Sequence, residues 1–342
     1  MKLTAYDTVT SDEWDTQVEA MGGTVFHAAC WADYTAAGQP NATPIFYTLL
    51  SGDGEPLGAA LGFRYRSPRR LLSGLSGRLA LDAMPALKKD DPDTLKEFVS
   101  LIEDDARAHH DAVLVLGSFA SPNGADVLKA CGYEVTPRLE FELDLARTED
   151  DLWTGMEHKR RKNIKKARRK NVTIDEPAPA EAVAHLRRLQ GESSRRIVAR
   201  GGRDITFQGA GPRDPVQTLL DVGVSRLVCA RVNGKVESAG LFTAFNGLVY
   251  HMLSGHSRAG LKAQAPTLLL WETLKRYKAE GMKRLNLGGC SADAVNEGSP
   301  EHGVYRYKRD WGGDVLKCAS GRKVLRPVVH RLVNTARAVL GR

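Results

Sequence analysis

The residues best suited to chemistry lie toward the carboxyl end, in Tyr305-Arg306-Tyr307-Lys308-Arg309-Asp310-Trp311. They follow a turn, Asn286-Leu287-Gly288-Gly289-Cys290, and a polar loop from Ser291 to Pro300. A fixed ammonium in a dry site stabilises negative charge that develops on an oxygen during a reaction, and loops at strand ends commonly carry such groups. The same pattern also fits an amphipathic helix with aromatics in the core and cations in water. A second charged feature lies mid-chain: nine of the thirteen residues from His158 to Lys170 are Lys or Arg, and none is acidic. The net charge is +8, so without these nine cations the remainder of the chain would be near −1. On a helix, Arg161/Lys165, Lys162/Lys166, Lys165/Arg169 and Lys166/Lys170 are like-charged pairs four residues apart, costing about 1–2 kcal/mol in all. A helix under this self-repulsion is more stable beside a polyanion than in water. The alternative is a solvated charged face.

Other chemistries find little footing. No HExxH, GxSxG or P-loop sequence occurs, and adjacent His109-His110 cannot share one face of a helix to hold a metal. Gly201-Gly202 and Gly288-Gly289 lack the strand–GxGxxG–helix setting of a dinucleotide site. The cysteines, at 30, 131, 229, 290 and 318, form no CxxC pair and read as reduced core thiols. Acidic residues at 7, 12, 13, 15 and 19 leave no secretory apolar region at the start. No apolar run reaches the ~18 residues of a membrane span, so the expected location is cytoplasmic.

The elements that must position these residues repeat twice. In the first half, Pro44–Leu50 and Leu57–Arg66 flank Gly52-Asp53-Gly54-Glu55 as a hairpin. A helix over Thr94–His109, a buried strand Ala112–Leu116, a helix near Ala125–Cys131 and a strand Tyr133–Leu145 follow. In the second half, Arg226–Val232 and Lys235–Phe245 flank Asn233-Gly234, a type I′ hairpin signal, and a third strand covers Leu248–Leu253. Pro266–Glu280 reads as a helix, Lys283–Leu287 as a buried strand, Glu301–Trp311 as a short helix and Asp314–Ala319 as the closing strand. The basic stretch reads as one helix from Asp151, with Ala180–Arg200 as a second. Helices interleaved with mixed sheet, twice over, define an α+β (α/β mixed-sheet) protein of two similar domains, 1–147 and 148–320. Residues 321–342 then form a basic amphipathic helix, suited to docking on its own protein or to lying on an anionic membrane at the inner membrane surface.

Three sets of residues together resemble the Fem family of aminoacyl-tRNA-dependent peptidyltransferases. They are Trp153 with Lys159-Arg160-Arg161, Ile164-Lys165-Lys166-Ala167 and Val172; then Asn286-Leu287-Gly288-Gly289; then Tyr305-Arg306-Tyr307-Lys308 with Trp311-Gly312-Gly313. Val25-Phe26-His27 with Trp31 resembles the family's opening, and the likeness spans roughly 25–319. The resemblance implies two tandem GNAT-like acyltransferase domains without the long coiled-coil arm of some members. It implies transfer of an amino acid from charged tRNA to an amine of a peptidoglycan precursor or small peptide metabolite, with no other cofactor. Lys308 matches the lysine thought to stabilise the tetrahedral intermediate, and Tyr307 stands where its Phe neighbour would be. Trp31, Tyr305 and either Arg200 or Arg203 would bind substrate. Lys162, Lys165, Lys166, Arg168 and Arg169 would hold the tRNA through phosphates. Ala32-Asp33-Tyr34-Thr35 replace the lysine that holds the precursor's diphosphate in the peptidoglycan enzymes. The alternative on the same fold is a GNAT-type N-acyltransferase using acetyl-CoA, for which the stretch from Gly255 to Pro266 occupies the place of the pyrophosphate turn. There Gly260 has the wrong offset from Arg258.

Overall fold

The computed structural model describes residues 1–66, 77–122, 124–199, 201–202, 204 and 213–339, apart from the side chains of 334 and 336–339. The chain divides into two compact units: the described parts of Met1–Arg138, Gly209–Pro215 and Lys317–Arg342, and those of Leu139–Gln208 and Val216–Leu316. Arg200 and Arg203 lie outside the described residues.

The first unit is a mixed sheet with helices. Its strands are β1 (Lys2–Tyr6), β2 (Ala42–Leu50), β3 (Pro56–Tyr65), β4 (Gly77–Leu81), β5 (Ala86–Leu87) and β6 (Asp111–Leu116), with the end of β13 (Asp314–Val324) added beside β6. The β2–β3 hairpin forms as its sequence directs, and β1, absent from the sequence reading, pairs with β2 along its whole length. Only β4 and β6 pair in parallel among these neighbours. Helix α1 (Ser11–Ala20) and α2 (Ala29–Gly38) precede β2, and α3 (Pro92–Ala108) precedes β6. The start of α3 is fixed locally: Pro92 supplies a preset φ, and the Asp91 carboxylate accepts from Thr94 N at 2.9 Å. Its apolar face, Phe98, Ile102 and Ala106, is fully buried against Leu79, Leu81, Leu114 and Leu116. A short helix, α4 (Ala125–Ala130), stands before β7 (Glu134–Asp144), the strand that carries the chain from one unit into the other.

The second unit opens with two helices where the sequence suggested one. α5 (Glu149–Gly155) stops, Met156 and Glu157 are extended, and α6 (His158–Arg169) starts afresh. The break is held by Arg161, whose Nη1 donates to the carbonyls of Thr154 at 2.7 Å and Met156 at 2.9 Å, oxygens that a continuous helix would have bonded internally. After β8 (Thr173–Asp175) and α7 (Pro179–Val198) come α8 (Pro215–Asp221) and three antiparallel strands, β9 (Ser225–Val232), β10 (Lys235–Phe245) and β11 (Leu248–His256). Asn233 (φ 51°) and Gly234 (φ 79°) adopt the left-handed pair of a type I′ turn. The stretch after β11, set in the place of a turn by the sequence reading, holds a short helix, α9 (Arg258–Ala263), followed directly by α10 (Ala265–Ala279). β12 (Arg284–Ser291) pairs in parallel with β11, and α11 (His302–Arg309) leads into β13. The core gathers Ile164, Ala167, Leu268, Trp271, Leu274, Leu285 and Trp311, so α6 docks through a narrow apolar line despite its charge.

The closing strand runs to Val324 rather than ending at Ala319, and Gly321–Val324 pair antiparallel with Leu116–Val113. Lys323 fixes that register. Its Nζ donates to both oxygens of Glu103, at 2.9 and 2.7 Å, and to the Cys131 carbonyl at 2.7 Å. Helix α12 (Pro327–Val339) follows, with Val333 buried and Val328 and Leu332 exposed. Replacing Lys323 by Met removes the cation from a mostly buried carboxylate. The expected loss is about 2–3 kcal/mol of stability, read from the urea midpoint.

Candidate active site

The candidate site forms where β11 and β12 part. Their parallel pairing covers only Leu248–Tyr250 against Arg284–Asn286, while β11 continues along β10 to His256. At the last shared position a buried network ties the strands together: Tyr250 Oη donates to Glu140 Oε1 at 2.7 Å and Asn286 Nδ2 to Glu140 Oε2 at 2.9 Å. Asn286 Oδ1 in turn accepts from Gly288 N at 2.7 Å, holding β12 in a sharp turn with Gly288 at φ 70°. A Cβ on Gly288 would stand 3.3 Å from both the His251 carbonyl oxygen and Lys308 Nζ. Only glycine suits that conformation and that close approach.

A β-bulge then sets which residues face the opening. Leu241 pairs with Leu253 and Phe242 with His251, so Met252 is an extra residue on β11. Strict alternation would separate His251 from Ser254 and His256; the inserted residue puts all three on one face. They line a cavity of about 560 Å³ together with Gly240, Tyr307 and Lys308. Leu261, Leu269, Leu270 and Leu287 give it an apolar wall. Its charged lining consists of Arg160, Arg196 and Lys308, with no carboxylate among the described residues that line it.

Each cation is positioned differently. Lys308, half-buried on α11, donates from Nζ to the Gly289 carbonyl at 2.9 Å. Arg160 comes from the basic helix α6, is buried, stacks over the Tyr307 ring at 4.2 Å and reaches Asp310 at 3.5 Å. Arg196 on α7 donates to the His256 carbonyl at 2.5 Å and to Ser193 Oγ at 3.0 Å. The two histidines are held neutral. Burial pushes the His251 imidazole down to about 3, with the Lys308 charge next in weight, and His256 down to about 4, with Arg196 next. His256 Nδ1 shares a hydrogen bond with Ser238 Oγ at 2.8 Å.

Of the residues singled out in the sequence, Lys308 and Tyr307 line this cavity. Tyr305, two residues away, instead packs edge-on against Phe141. Trp31 belongs to the first unit, where it is buried, stacks on Tyr34 and donates from Nε1 to Asp82 at 2.8 Å. The equivalent parallel pair there stays closed: Gly117 N donates to the Leu81 carbonyl at 2.7 Å, and a side chain at Gly117 would collide with the Asp82 backbone. On α6, Lys162, Lys165, Arg168 and Arg169 are exposed and Lys166 is half-buried. Acidic partners that the local sequence lacks come from other elements, Asp310 to Arg160 and Glu272 to Arg168 at 2.9 Å. Sequence reasoning missed Glu140, Arg160, Arg196, His251 and His256 as site residues. The bulge that turns His251 inward leaves no mark in sequence.

Within Gly255–Pro266, the stretch set against a coenzyme A pyrophosphate turn, one amide is bonded by the protein itself. Ser257 Oγ accepts from Gly260 N at 2.9 Å, and Gly260 packs so tightly on the Glu237 carbonyl that it serves close packing.

Residues 158–309 match the family model of the acetyltransferase (GNAT) domain. No curated protein matches the chain. Among solved structures, FemX superposes with a TM-score of 0.76 at 13% identity, covering 97% of this chain and 100% of that one. L-PGS of Bacillus licheniformis gives 0.55 at 14% identity, covering 97% of each chain. A tandem GNAT protein from the clavulanic acid biosynthesis pathway gives 0.53 at 14%, covering 95% of this chain and 99% of that one. Over 158–309 the chain is thus similar to the acetyltransferase (GNAT) domain. Its fold is Fem-like, built of GNAT-like units in tandem.

The two half-buried, neutral histidines carry a pH dependence. The unfolded chain binds their protons below about pH 6.5 and the folded chain does not, so stability falls as pH drops from 6.5 toward 4. Between pH 7 and pH 5 the loss is on the order of 1–2 kcal/mol per histidine. Urea unfolding at the two values should show it, and the double variant His251→Gln/His256→Gln should flatten the difference by that amount.

Proposed function

We propose that this chain transfers an aminoacyl group from charged tRNA to an amine. The observation that carries this reading is that Lys308 and Arg160, the inward-facing cation of the basic helix, line one cavity of the same unit. An aminoacyl ester is already activated, so transfer needs an amine brought into line and a stabilised oxyanion. In this reading Lys308 faces the ester carbonyl oxygen, and its ammonium stabilises the tetrahedral intermediate. The exposed side of α6, with Lys162, Lys165, Arg168 and Arg169 and the flanking Lys166, receives the phosphates of the acceptor stem, which fixes position without reading bases. The acceptor is an amine of a peptide or cell-wall precursor. The resemblance of 153–172, 286–289 and 305–313 to the Fem family supports both substrates. The coenzyme A alternative remains the competing reading on the same fold, and the test below separates the two.

The test uses the intact protein, a mixed pool of aminoacyl-tRNAs and a panel of amines, with products identified by mass spectrometry. Amine-dependent loss of the ester is expected, falling about 10²–10³-fold in Lys308→Ala while tRNA binding persists. The triple variant Lys162→Glu/Lys165→Glu/Arg169→Glu should weaken tRNA binding and flatten its salt dependence. Acyl transfer from acetyl-CoA with none from tRNA would overturn the proposal.

Contact with an anionic membrane through 322–342 belongs to the same reading. Val328 and Leu332 are exposed one helical turn apart, and the adjoining Arg331 is exposed as well. Among the described residues no helix is long and apolar enough to cross a membrane. Flotation with phosphatidylglycerol vesicles is expected for the intact chain and lost in Val328→Glu/Leu332→Glu. Equal binding by both proteins, or by neither, removes this contact.

A further inference from the structure

We propose that His251 is the catalytic base that takes the proton from the attacking amine, an inference that rests on the transfer reaction proposed above. Among the described residues, its Nε2 is a buried polar atom without a hydrogen-bond partner. An orphan of this kind costs about 1–3 kcal/mol unless something pairs with it. The ring is held rather than loose. It stacks on Phe242 with centroids 4.5 Å apart and planes 13° from parallel, and it hydrogen-bonds to the Leu253 backbone.

That bond settles which nitrogen carries hydrogen. Because Nε2 has no partner, the bond belongs to Nδ1. It also favours the protonated ring, as a bond donated to a carbonyl does. Nδ1 therefore holds the hydrogen, and Nε2 presents a lone pair. Gly240 lies alongside this stacked pair: a Cβ there would stand 2.9 Å from the Phe242 ring and 3.4 Å from Nε2. The same cavity wall carries Lys308, so a base and an oxyanion-stabilising ammonium face one volume.

In the reaction the amine nitrogen forms a bond to the ester carbon, and the carbonyl electron pair moves to the oxygen beside Lys308. The nitrogen's surplus proton passes to His251 Nε2. When the carbon–oxygen bond to the ribose breaks, that proton goes to the departing oxygen, leaving an amide and a free hydroxyl. The neutral ring is the form that can accept at neutral pH. Burial is the larger cause of its weak basicity; the new oxyanion offsets the second, the charge of Lys308.

The experiment supplies hydroxylamine as the amine and a mixed pool of aminoacyl-tRNAs to the intact protein, and measures aminoacyl hydroxamate. His251→Ala and the near-isosteric His251→Gln are expected to lower kcat by 10²–10⁴-fold with the KM for tRNA unchanged. Added imidazole should restore part of the rate to His251→Ala and none to His251→Gln. Long-range ¹⁵N spectra of the intact protein at neutral pH should show Nε2 without hydrogen. Variants that fold and transfer at the intact rate, or a proton found on Nε2, overturn the role of His251 and leave the parent reaction standing. An intact protein that makes no hydroxamate above the uncatalysed rate, and no product with any other amine, overturns the parent reaction and the histidine's role together.

Discussion

The constraint on which the site depends is the buried carboxylate of Glu140. It is fully inaccessible and accepts from Tyr250 on β11 and Asn286 on β12 at the last position where those strands pair. A carboxylate in the interior is costly unless its oxygens are hydrogen-bonded, so the three side chains must meet in this one arrangement. That requirement fixes the point of divergence. Below it the strands form ordinary parallel sheet; above it Asn286 turns β12 at Gly288 and the cavity opens. Lys308 and His251 are placed by the same event, since both approach the backbone at Gly288.

Charge is distributed on the basic helix by the same kind of packing. Arg160 is drawn inward by Tyr307 and Asp310, Arg161 closes the end of the preceding helix, and Arg168 pairs with Glu272. These contacts ease the self-repulsion computed for an isolated helix. Lys159, Lys162, Lys165, Arg169 and Lys170 still form an exposed ridge. The helix thus sets one cation in the cavity wall and an exposed ridge of others toward solvent. A cavity lined by cations without acids holds a positive potential that favours anionic groups and charge building up on oxygen.

Two units with related strand order differ at the decisive place. In the first, the strands that correspond to the opening remain joined at Gly117, and Trp31 is bound to Asp82 beneath an aromatic cluster. In the second, a bulge and a glycine turn drive the strands apart. Architecture alone does not make a site; the local departures from regular sheet do.

Much of this was legible in the chain itself. Hairpins at Gly52–Glu55 and Asn233-Gly234, the helix opened by Asp91-Pro92, and the basic helix's thin apolar line follow from turn chemistry, capping and periodicity, which act between residues a few positions apart. Lys308 and Tyr307 were visible because charge and aromatics cluster locally beside a strand-end turn. The break at Met156, the short helix at Arg258–Ala263 and the inward turn of His251 were not visible. Each depends on a partner distant in sequence or on an inserted residue that shifts a register. Sequence by itself determined most of the elements, their repetition and the positive charge, because those are short-range properties. Which histidine, which arginine and which glutamate meet was decided only by tertiary structure, because burial and hydrogen-bond satisfaction are defined by neighbours that the chain brings together in folding.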